Sequence, residues 1–405
     1  MTGLLRGIKV VEAAVLLVGD FLGMLLGDEG ADVIKLEQPG SGDYVRRILG
    51  QFAPGYSPFH VVVNRNKRSL TLDPRTAEGT EVLRRLIADT DVFVTGHVAD
   101  VPAKLGLGCD SLRAINPSIV YCQATGFGAY GPYATIPTHG AMTEKLGGAP
   151  TLALGEAGRV VEVAPGLSQS GVLLGPLYAA YAVAAALVKR DRTGEGSCID
   201  VSCSDAVVAA SWPSSTPLLN ASKLQEVEEV APFPAGGIAS AAKYTYYETS
   251  DGKYVMFCCI EKKFWDNFCT VAGRPDLMPW HSNVTVVDYG EDDWELMAEL
   301  QRVFHTKTLA EWTELFVEHD IPASPAVPIT GAAEDPHLAA RGIIVDDHHP
   351  AVGDLHVVGN PIRTSGETFT VERHAPALAE HTDEILAELG FAPGEVADLR
   401  AQGVV

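Results

Sequence analysis

The sequence contains few basic residues for its length. Its 405 residues include 30 lysines and arginines against 52 aspartates and glutamates, a formal net charge of −22. Nucleic-acid-binding proteins use basic surfaces to neutralise phosphates, and anionic membrane surfaces attract basic segments. We therefore expect no nucleic-acid partner and no membrane partner. An anionic ligand would need a local group of lysines and arginines within this acidic chain.

Cysteine pairs and long apolar runs are also scarce. The seven cysteines include no Cys-x-x-Cys pair, and no segment has the spacing of metal ligands. We therefore expect no metal site and no disulfide framework, but reduced thiols in a cytoplasmic protein. Charges such as Arg6, Lys9 and Glu12 interrupt the apolar segment 1–30. They argue against both a signal peptide and a membrane span.

The remaining composition is that of a folded α/β protein. Hydrophobic residues make up 46% of a chain whose length suits about two or three domains. Short β-rich runs alternate with segments of helical periodicity, which predicts βαβ units and a mostly parallel sheet. The predicted strands are 8–11, 32–36, 69–72, 91–94, 119–124 and 198–202, and the predicted helices are 20–26, 75–90, 111–115 and 179–189.

A Pro-, Gly- and Glu-rich segment, 225–237, marks a boundary after this first part. Two strands joined by a Thr-Ser-Asp-Gly turn follow it, and then three helical segments, which together predict a smaller α+β domain. The predicted strands are 244–248 and 253–258, and the predicted helices are 262–272, 293–304, 308–318 and, near the C-terminus, 382–389. We place the domains at 1–222, 223–325 and 326–405.

A glycine-rich motif, Gly126-Phe127-Gly128-Ala-Tyr-Gly131, follows a predicted strand and matches the dinucleotide-binding pattern. That fingerprint needs a helix opening on the last glycine, so that the helix N-terminus meets a pyrophosphate. Pro132 and the broken stretch that follows argue against such a helix. We therefore interpret Gly126, Phe127 and Gly128 as a substrate-binding loop.

The densest basic stretch is Asn64-Arg-Asn-Lys-Arg68, just before a strand. Guanidinium and ammonium groups at a sheet end suit phosphates, whereas most charge runs are simply solvated.

His139 begins a helical segment that we expect to reach Leu146. At a helix start a neutral imidazole could act as a base; a capping or loop histidine is the alternative. Glu261 lies between a strand and a helix, either as a helix-start acid or as a carboxylate facing a cleft.

Taken together, the motifs resemble the class III CoA-transferase family, which includes formyl-CoA and carnitine CoA-transferases and α-methylacyl-CoA racemases. The resemblance covers nearly the whole chain. It rests on the number and order of the segments LRGIKVVEAA, GADVIKLEQPGSGD, NRNKRSLTLD, KLGLG, LRAINPSIVYCQATGFGAYGPY, RTGEGSCIDVSCSDA, EKKFW, GRPDL and HTDEILAELGF.

The resemblance implies a large doubly wound domain built from both chain ends, a smaller inserted domain, and a dimer of interlocked rings. It also implies a CoA thioester as substrate, with no tightly bound cofactor. Asn66, Lys67 and Arg68 would bind the CoA phosphates, and Lys104 would line the same pocket. The segment 233–242 is a candidate for the acyl pocket.

Transferases of the family use an aspartate that takes up the acyl group as a mixed anhydride. With Leu177–Ala180 and Arg192–Gly194 as anchors, that position falls on Val172, or on Gly171 if the register slips by one residue. No aspartate occurs between Asp110 and Asp191. The expected nucleophile is therefore replaced.

The racemases of the family use a histidine that is hydrogen-bonded to a glutamate, together with an aspartate on the opposite face of the substrate. His139 and Glu261 match the histidine and the glutamate, whereas Val172 cannot supply the proton donor.

Three functional hypotheses follow from these matches and from the missing aspartate. The chain could be a CoA-transferase with another nucleophile, a catalytically incomplete subunit that pairs with an aspartate-containing homologue, or a one-base acyl-CoA epimerase or isomerase. We expect a homodimer unless the second hypothesis holds.

Overall fold

The computed structural model describes residues 3–148, 151–155, 158–164, 170–225, 227, 230, 240–283, 285–364 and 369–405. The chain divides into two compact units. The first comprises residues 1–219 and 341–405, and the second comprises residues 220–340. The first unit is therefore assembled from both ends of the chain.

The first unit contains a six-stranded parallel sheet. Its strands come from the first half of the chain, which also forms a separate two-stranded antiparallel ribbon from residues 151–154 and 160–164. The strands are β1 (Lys9–Ala13), β2 (Asp32–Glu37), β3 (Lys67–Thr71), β4 (Val92–Thr95), β5 (Val120–Thr125), β6 (Thr151–Leu154), β7 (Val160–Ala164) and β8 (Ser197–Ser202). The order in the large sheet is β3-β2-β1-β4-β5-β8, and every neighbouring pair is parallel. The predicted parallel α/β sheet is confirmed.

Helices cover both faces of this sheet, because strands rich in Val, Ile and Leu are apolar on both sides. The helices of the first half are α1 (Leu17–Asp28), α2 (Pro58–Val63), α3 (Ala77–Ala88), α4 (Val101–Lys104), α5 (Cys109–Ile115), α6 (Lys145–Gly148), α7 (Ser170–Thr193), α8 (Cys203–Ala210) and α9 (Trp212–Leu219). Residues of α1 and α7 pack on one face, and residues of α3 and α5 pack on the other.

The second unit has its own sheet and core. Its elements are β9 (Thr245–Glu248), β10 (Tyr254–Phe257), α10 (Lys262–Val271), α11 (Trp294–Phe304), α12 (Leu309–Glu318), β11 (Ala323–Ala326) and α13 (Pro336–Arg341), the last of which ends at the unit boundary. Strands β9 and β10 form the antiparallel hairpin that the sequence predicts. Phe257, Phe268, Phe304 and Trp312 pack against one another in a buried aromatic core, mostly with tilted or edge-on rings.

The returning segment completes the first unit. It forms the hairpin β12 (Ile344–His349) and β13 (Gly353–Val358), followed by α14 (Thr382–Glu388) and α15 (Pro393–Ala401). Leu386 and Leu399 are buried in the same core cluster as Ile87 and Phe93. The C-terminal helices therefore close the face of the sheet that α3 and α5 share.

The cysteines correct one expectation from the sequence. Cys109, at the start of α5, forms a disulfide with Cys198 on β8, so these two thiols are not reduced as expected. The other five cysteines are free.

Helix α7 is long and apolar enough to cross a membrane, but 44% of its most apolar 18-residue stretch is buried inside the chain. A single such helix among the described residues is weak evidence for a membrane span.

Candidate active site at the carboxyl edge of the parallel sheet

The sheet order reverses between β1 and β4, which creates a crevice at the carboxyl ends of these strands. The loop from β1 to α1 enters this crevice at Leu16, whose φ of +64° is unusual for a residue with a side chain. Both oxygens of Asp43 accept the Leu16 N–H, at 3.1 and 3.3 Å. The strained loop is thus held by a carboxylate from a different segment.

A buried group of charges lies beneath this loop. Lys35 Nζ contacts Glu12 Oε1 at 3.0 Å, Asp20 Oδ1 at 2.5 Å and Asp43 Oδ2 at 2.9 Å, and these side chains are at most 1% exposed. Lys67 Nζ donates to Glu12 Oε2 at 2.6 Å. Burial raises the pKa of Asp20, and the neighbouring carboxylates add to that rise against the opposing effect of Lys35. This buried charge cluster fixes β1, β2, β3 and α1 relative to one another.

The ends of β4 and β5 form the next part of the edge. Gln123 Nε2 donates to the carbonyl oxygens of His97 and Ala99, at 2.8 and 2.9 Å, and so holds the loop after β4. Burial lowers the pKa of His97, which favours its neutral form. Thr125, the last residue of β5, has the one buried side-chain polar atom without a hydrogen-bond partner among the residues that the structure describes. An unsatisfied hydroxyl at this position is suited to a ligand.

The glycine loop follows directly. A Cβ on Gly126 would lie 2.3 Å from the Thr138 side chain, and Gly128 has a φ of +81°, so both positions require glycine. Asp200 Oδ1, on β8, accepts the Ala129 N–H at 2.9 Å and anchors the loop. No helix opens on Gly131. The dinucleotide fingerprint therefore lacks the helix that it needs, and the substrate-binding role of the loop stays a prediction.

The segment after the glycine loop reaches the N-terminus of α7. His139 is exposed and precedes a short 3₁₀ turn, Gly140–Met142, so the continuous helix that we expected after His139 is wrong. Two residues further on, Glu144 is fully buried, and its Oε2 accepts the Gly171 N–H at 3.3 Å. Val172 is the next residue of α7 and is 7% exposed.

Comparisons with known proteins agree with this architecture. The sequence model of CoA-transferase family III matches residues 5–382. This chain belongs to CoA-transferase family III. Formyl-CoA:oxalate CoA-transferase of Rhodopseudomonas palustris (strain BisA53) is 30% identical to it, over 100% of this chain and 98% of the relative. Succinyl-CoA:glutarate CoA-transferase of Homo sapiens is 29% identical, over 99% of this chain and 90% of the relative.

Solved structures of this fold include a CAIB/BAIF family protein from Brucella suis. It has a TM-score of 0.73 and 29% identity, over 96% of this chain and 100% of that one. An aspartate-to-alanine mutant of a Mycobacterium tuberculosis protein has a TM-score of 0.74 and 26% identity, over 95% and 99% of the two chains. The family III fold is therefore shared along nearly the full length.

The basic stretch predicted for CoA phosphates lies elsewhere in this family III chain. Asn66 precedes β3, and Lys67 and Arg68 begin it, so all three lie at the amino end of a strand, opposite the crevice. Lys67 is fully buried in the charge cluster, and Arg68 pairs with Asp32, Glu384 and Glu388. An exposed cationic patch is therefore the wrong description. Phosphate binding by these residues stays a prediction, and the ion pairs argue against it.

Exposed cations do occur nearer the carboxyl edge. Lys104 ends α4, its side chain is 70% exposed, and it pairs with Asp100 across one helical turn. Arg75 follows β3, is 62% exposed and pairs with Asp73. Sequence reasoning missed Arg75, although its place just after the carboxyl end of a parallel strand was a signal for it.

Glu261 belongs to the second unit. It is the residue that precedes α10, so it lies at a helix start, and its side chain makes no capping hydrogen bond there. A catalytic role for Glu261 stays a prediction. His139 lies in the first unit, and the pairing of the two residues stays a prediction. Of the segment considered for the acyl pocket, 233–239 lies outside the described residues. Among the described residues, no cluster of His, Cys, Asp and Glu could hold a metal ion.

Proposed function

We propose that this protein transfers CoA from an acyl-CoA thioester to a free carboxylic acid. The single observation that carries the proposal is the full-length similarity to CoA-transferases, which extends over 100% of this chain at 30% identity. The carboxyl edge supplies chemistry that fits. The glycine loop offers backbone N–H groups that could polarise a thioester carbonyl. Lys104 and Arg75 supply exposed cations for phosphates.

The direct test uses the purified full chain. Formyl-CoA and succinyl-CoA, the donors named for the relatives, are incubated with oxalate, glutarate and other mono- and dicarboxylates, and new thioesters are identified by mass spectrometry. Appearance of the acceptor's CoA thioester in proportion to enzyme supports the proposal. If the donors are hydrolysed or left unchanged across the whole panel, while a family III transferase assayed in parallel turns over, CoA transfer is refuted.

CoA recognition is tested by a pair of lysine variants. Lys104→Ala removes an exposed cation of the carboxyl edge. Lys253→Ala is the control, because it removes a lysine of similar exposure in the second unit. The side chain of Lys104 is 70% exposed and that of Lys253 is 66% exposed. One phosphate contact worth about 1 kcal/mol predicts a roughly fivefold rise in KM for acyl-CoA with the first variant only. Equal KM values for both variants would exclude Lys104 from the CoA site.

An epimerase is the second candidate, since His139 is exposed close to the glycine loop, where Thr138 contacts Gly126. In this hypothesis His139, oriented by Glu261, removes the proton next to the thioester carbonyl. A 2-methylacyl-CoA in deuterated water should then gain α-deuterium with the native protein and not with His139→Gln. Transfer of CoA without any deuterium incorporation decides for the transferase.

We further propose that the chain forms a homodimer of interlocked rings. Leu173, Leu177, Tyr181 and Val188 lie on one side of α7 and are 47–74% exposed, an apolar face that a second copy would cover. Light scattering after size exclusion should give twice the chain mass. A monomer that becomes active only with an aspartate-containing homologue would establish the incomplete-subunit hypothesis instead.

A further inference from the structure

The residue that receives the acyl group is the open question of the proposed transferase. Val172, the position where the resemblance places the aspartate, has no ionisable group, and the chain has no aspartate between Asp110 and Asp191. A mixed anhydride needs a carboxylate oxygen. The described carboxylates near the start of α7 are therefore the ones to consider.

Glu144 places a carboxylate at this point from a different segment. Its Oε2 accepts the backbone N–H of Gly171, the residue before Val172, at 3.3 Å. The two segments are in close contact here, because a Cβ on Gly171 would lie 2.1 Å from Thr143 Oγ1. The carboxylate of Glu144 thus lies next to the backbone position from which residue 172 projects.

The two oxygens of Glu144 have different surroundings. Oε2 accepts a hydrogen bond from the first turn of α7, and the N-terminus of a helix favours negative charge. Oε1 lies 3.7 Å from Nζ of Lys145, a side chain that is 40% exposed. Oε1 is therefore the oxygen that lies toward the ammonium group of Lys145. Glu144 is fully buried, so an attack by this oxygen requires a displacement of the segment, which is bracketed by Gly140 and Gly147 with φ of +22° and +97°.

We infer that Glu144 is the nucleophile of this transferase and substitutes for the aspartate that is absent at position 172. The inference rests on the proposed CoA transfer. Glu144 Oε1 attacks the thioester carbonyl, the C–S bond breaks, and CoA leaves as the thiolate, giving an acyl-glutamyl anhydride. The thiolate then attacks the glutamyl carbonyl and releases the donor acid, which leaves a glutamyl-CoA thioester.

The second half of the reaction reverses these steps with the acceptor. The carboxylate of the acceptor acid attacks the glutamyl thioester and expels the thiolate. The thiolate then attacks the acyl carbonyl of the new anhydride, which forms the product thioester and restores the Glu144 carboxylate. No redox reagent and no net proton transfer are needed, so the existing side chain and the two substrates suffice.

The decisive experiment traps the intermediate on the unmodified protein. The full chain is incubated with an acyl-CoA that it uses as a donor and then with hydroxylamine, which converts an activated glutamyl group into a hydroxamate. The modified peptide is then identified by mass spectrometry. The inference requires the hydroxamate on Glu144. A hydroxamate on another residue, or none during measurable CoA transfer, overturns it while the proposed function stands. Absence of both adduct and transfer overturns the proposed function as well.

Variants separate catalysis from a structural role. Glu144→Gln retains an oxygen that can accept the Gly171 N–H, so its melting temperature should match the native protein, whereas turnover should fall by roughly a thousandfold or more. Glu195→Gln, at an exposed position beyond α7, should leave turnover unchanged. Adding Val172→Asp to Glu144→Gln should restore adduct formation, now on residue 172. Normal turnover of Glu144→Gln contradicts the inference.

Discussion

Removal of Lys35 is the most informative perturbation of this fold. Its ammonium contacts three carboxylates, those of Glu12, Asp20 and Asp43, at 3.0, 2.5 and 2.9 Å, and none of the four side chains is more than 1% exposed. Lys35→Met keeps the length of the side chain and removes the charge. Breaking a buried ion pair by removal of one partner costs about 3–5 kcal/mol, because the remaining charge stays buried without compensation.

This cost is large compared with the total stability of a domain, which is typically about 5–15 kcal/mol. The matched control is Lys9→Met, since Lys9 pairs with Asp89 at the surface, where the two side chains are 51% and 72% exposed. Such a pair contributes about 0–1 kcal/mol. Urea unfolding followed by far-UV circular dichroism, with the midpoint and slope fitted separately, gives both free energies. Equal losses for the two variants would refute the buried charge cluster as a stabilising unit.

Three further predictions concern stability. His60 has a pKa of about 3, because burial and then Arg46 lower it, so the unfolded chain takes up a proton below pH 6.5 that the folded chain does not. Stability should therefore decrease by about 2 kcal/mol from pH 7 to pH 5, and His60→Gln should flatten this dependence. Reduction of the Cys109–Cys198 disulfide should cost about 2–4 kcal/mol. A Cys109→Ser variant should melt at the same temperature with and without reductant, and a residual effect of reductant would argue against this pairing. Gly19→Ala places a Cβ 2.2 Å from a neighbouring Cβ and should lose about 1–3 kcal/mol, whereas Gly394→Ala meets no atom within 4 Å and should melt normally.

Local patterns predicted the sheet well. The runs around Val10, Val33 and Val92 contribute apolar residues to both faces of the sheet, and their short length and alternation with helical segments predicted parallel strands. Helix α7 was predicted from 179 but begins at Ser170, because Gly171, Gly175 and Pro176 hide its first turns. Gly175 is required by the close approach of Cys203, and Pro176 lies inside the helix, where a proline ordinarily predicts a break.

Contacts between distant parts of the chain could not be predicted in this way. The basic stretch looked exposed because its partners are remote: Arg68 pairs with Glu384 and Glu388, more than 300 residues away. The disulfide joins cysteines separated by 89 residues, and no spacing rule identifies such a pair. Glu144 was likewise not singled out, since only the fold brings it to Gly171.

The two faces of the large sheet are completed at different times during synthesis. The residues of the cluster that α1 and α7 cover all precede residue 188. The opposite cluster includes Ile385, Leu399 and Val404, so that face stays open until these residues have been synthesised. During that interval the second unit is made while apolar strand surface is accessible to other chains. The nascent chain should therefore be prone to aggregation during this interval, and deletion of residues 382–405 should produce aggregation rather than a shorter folded protein.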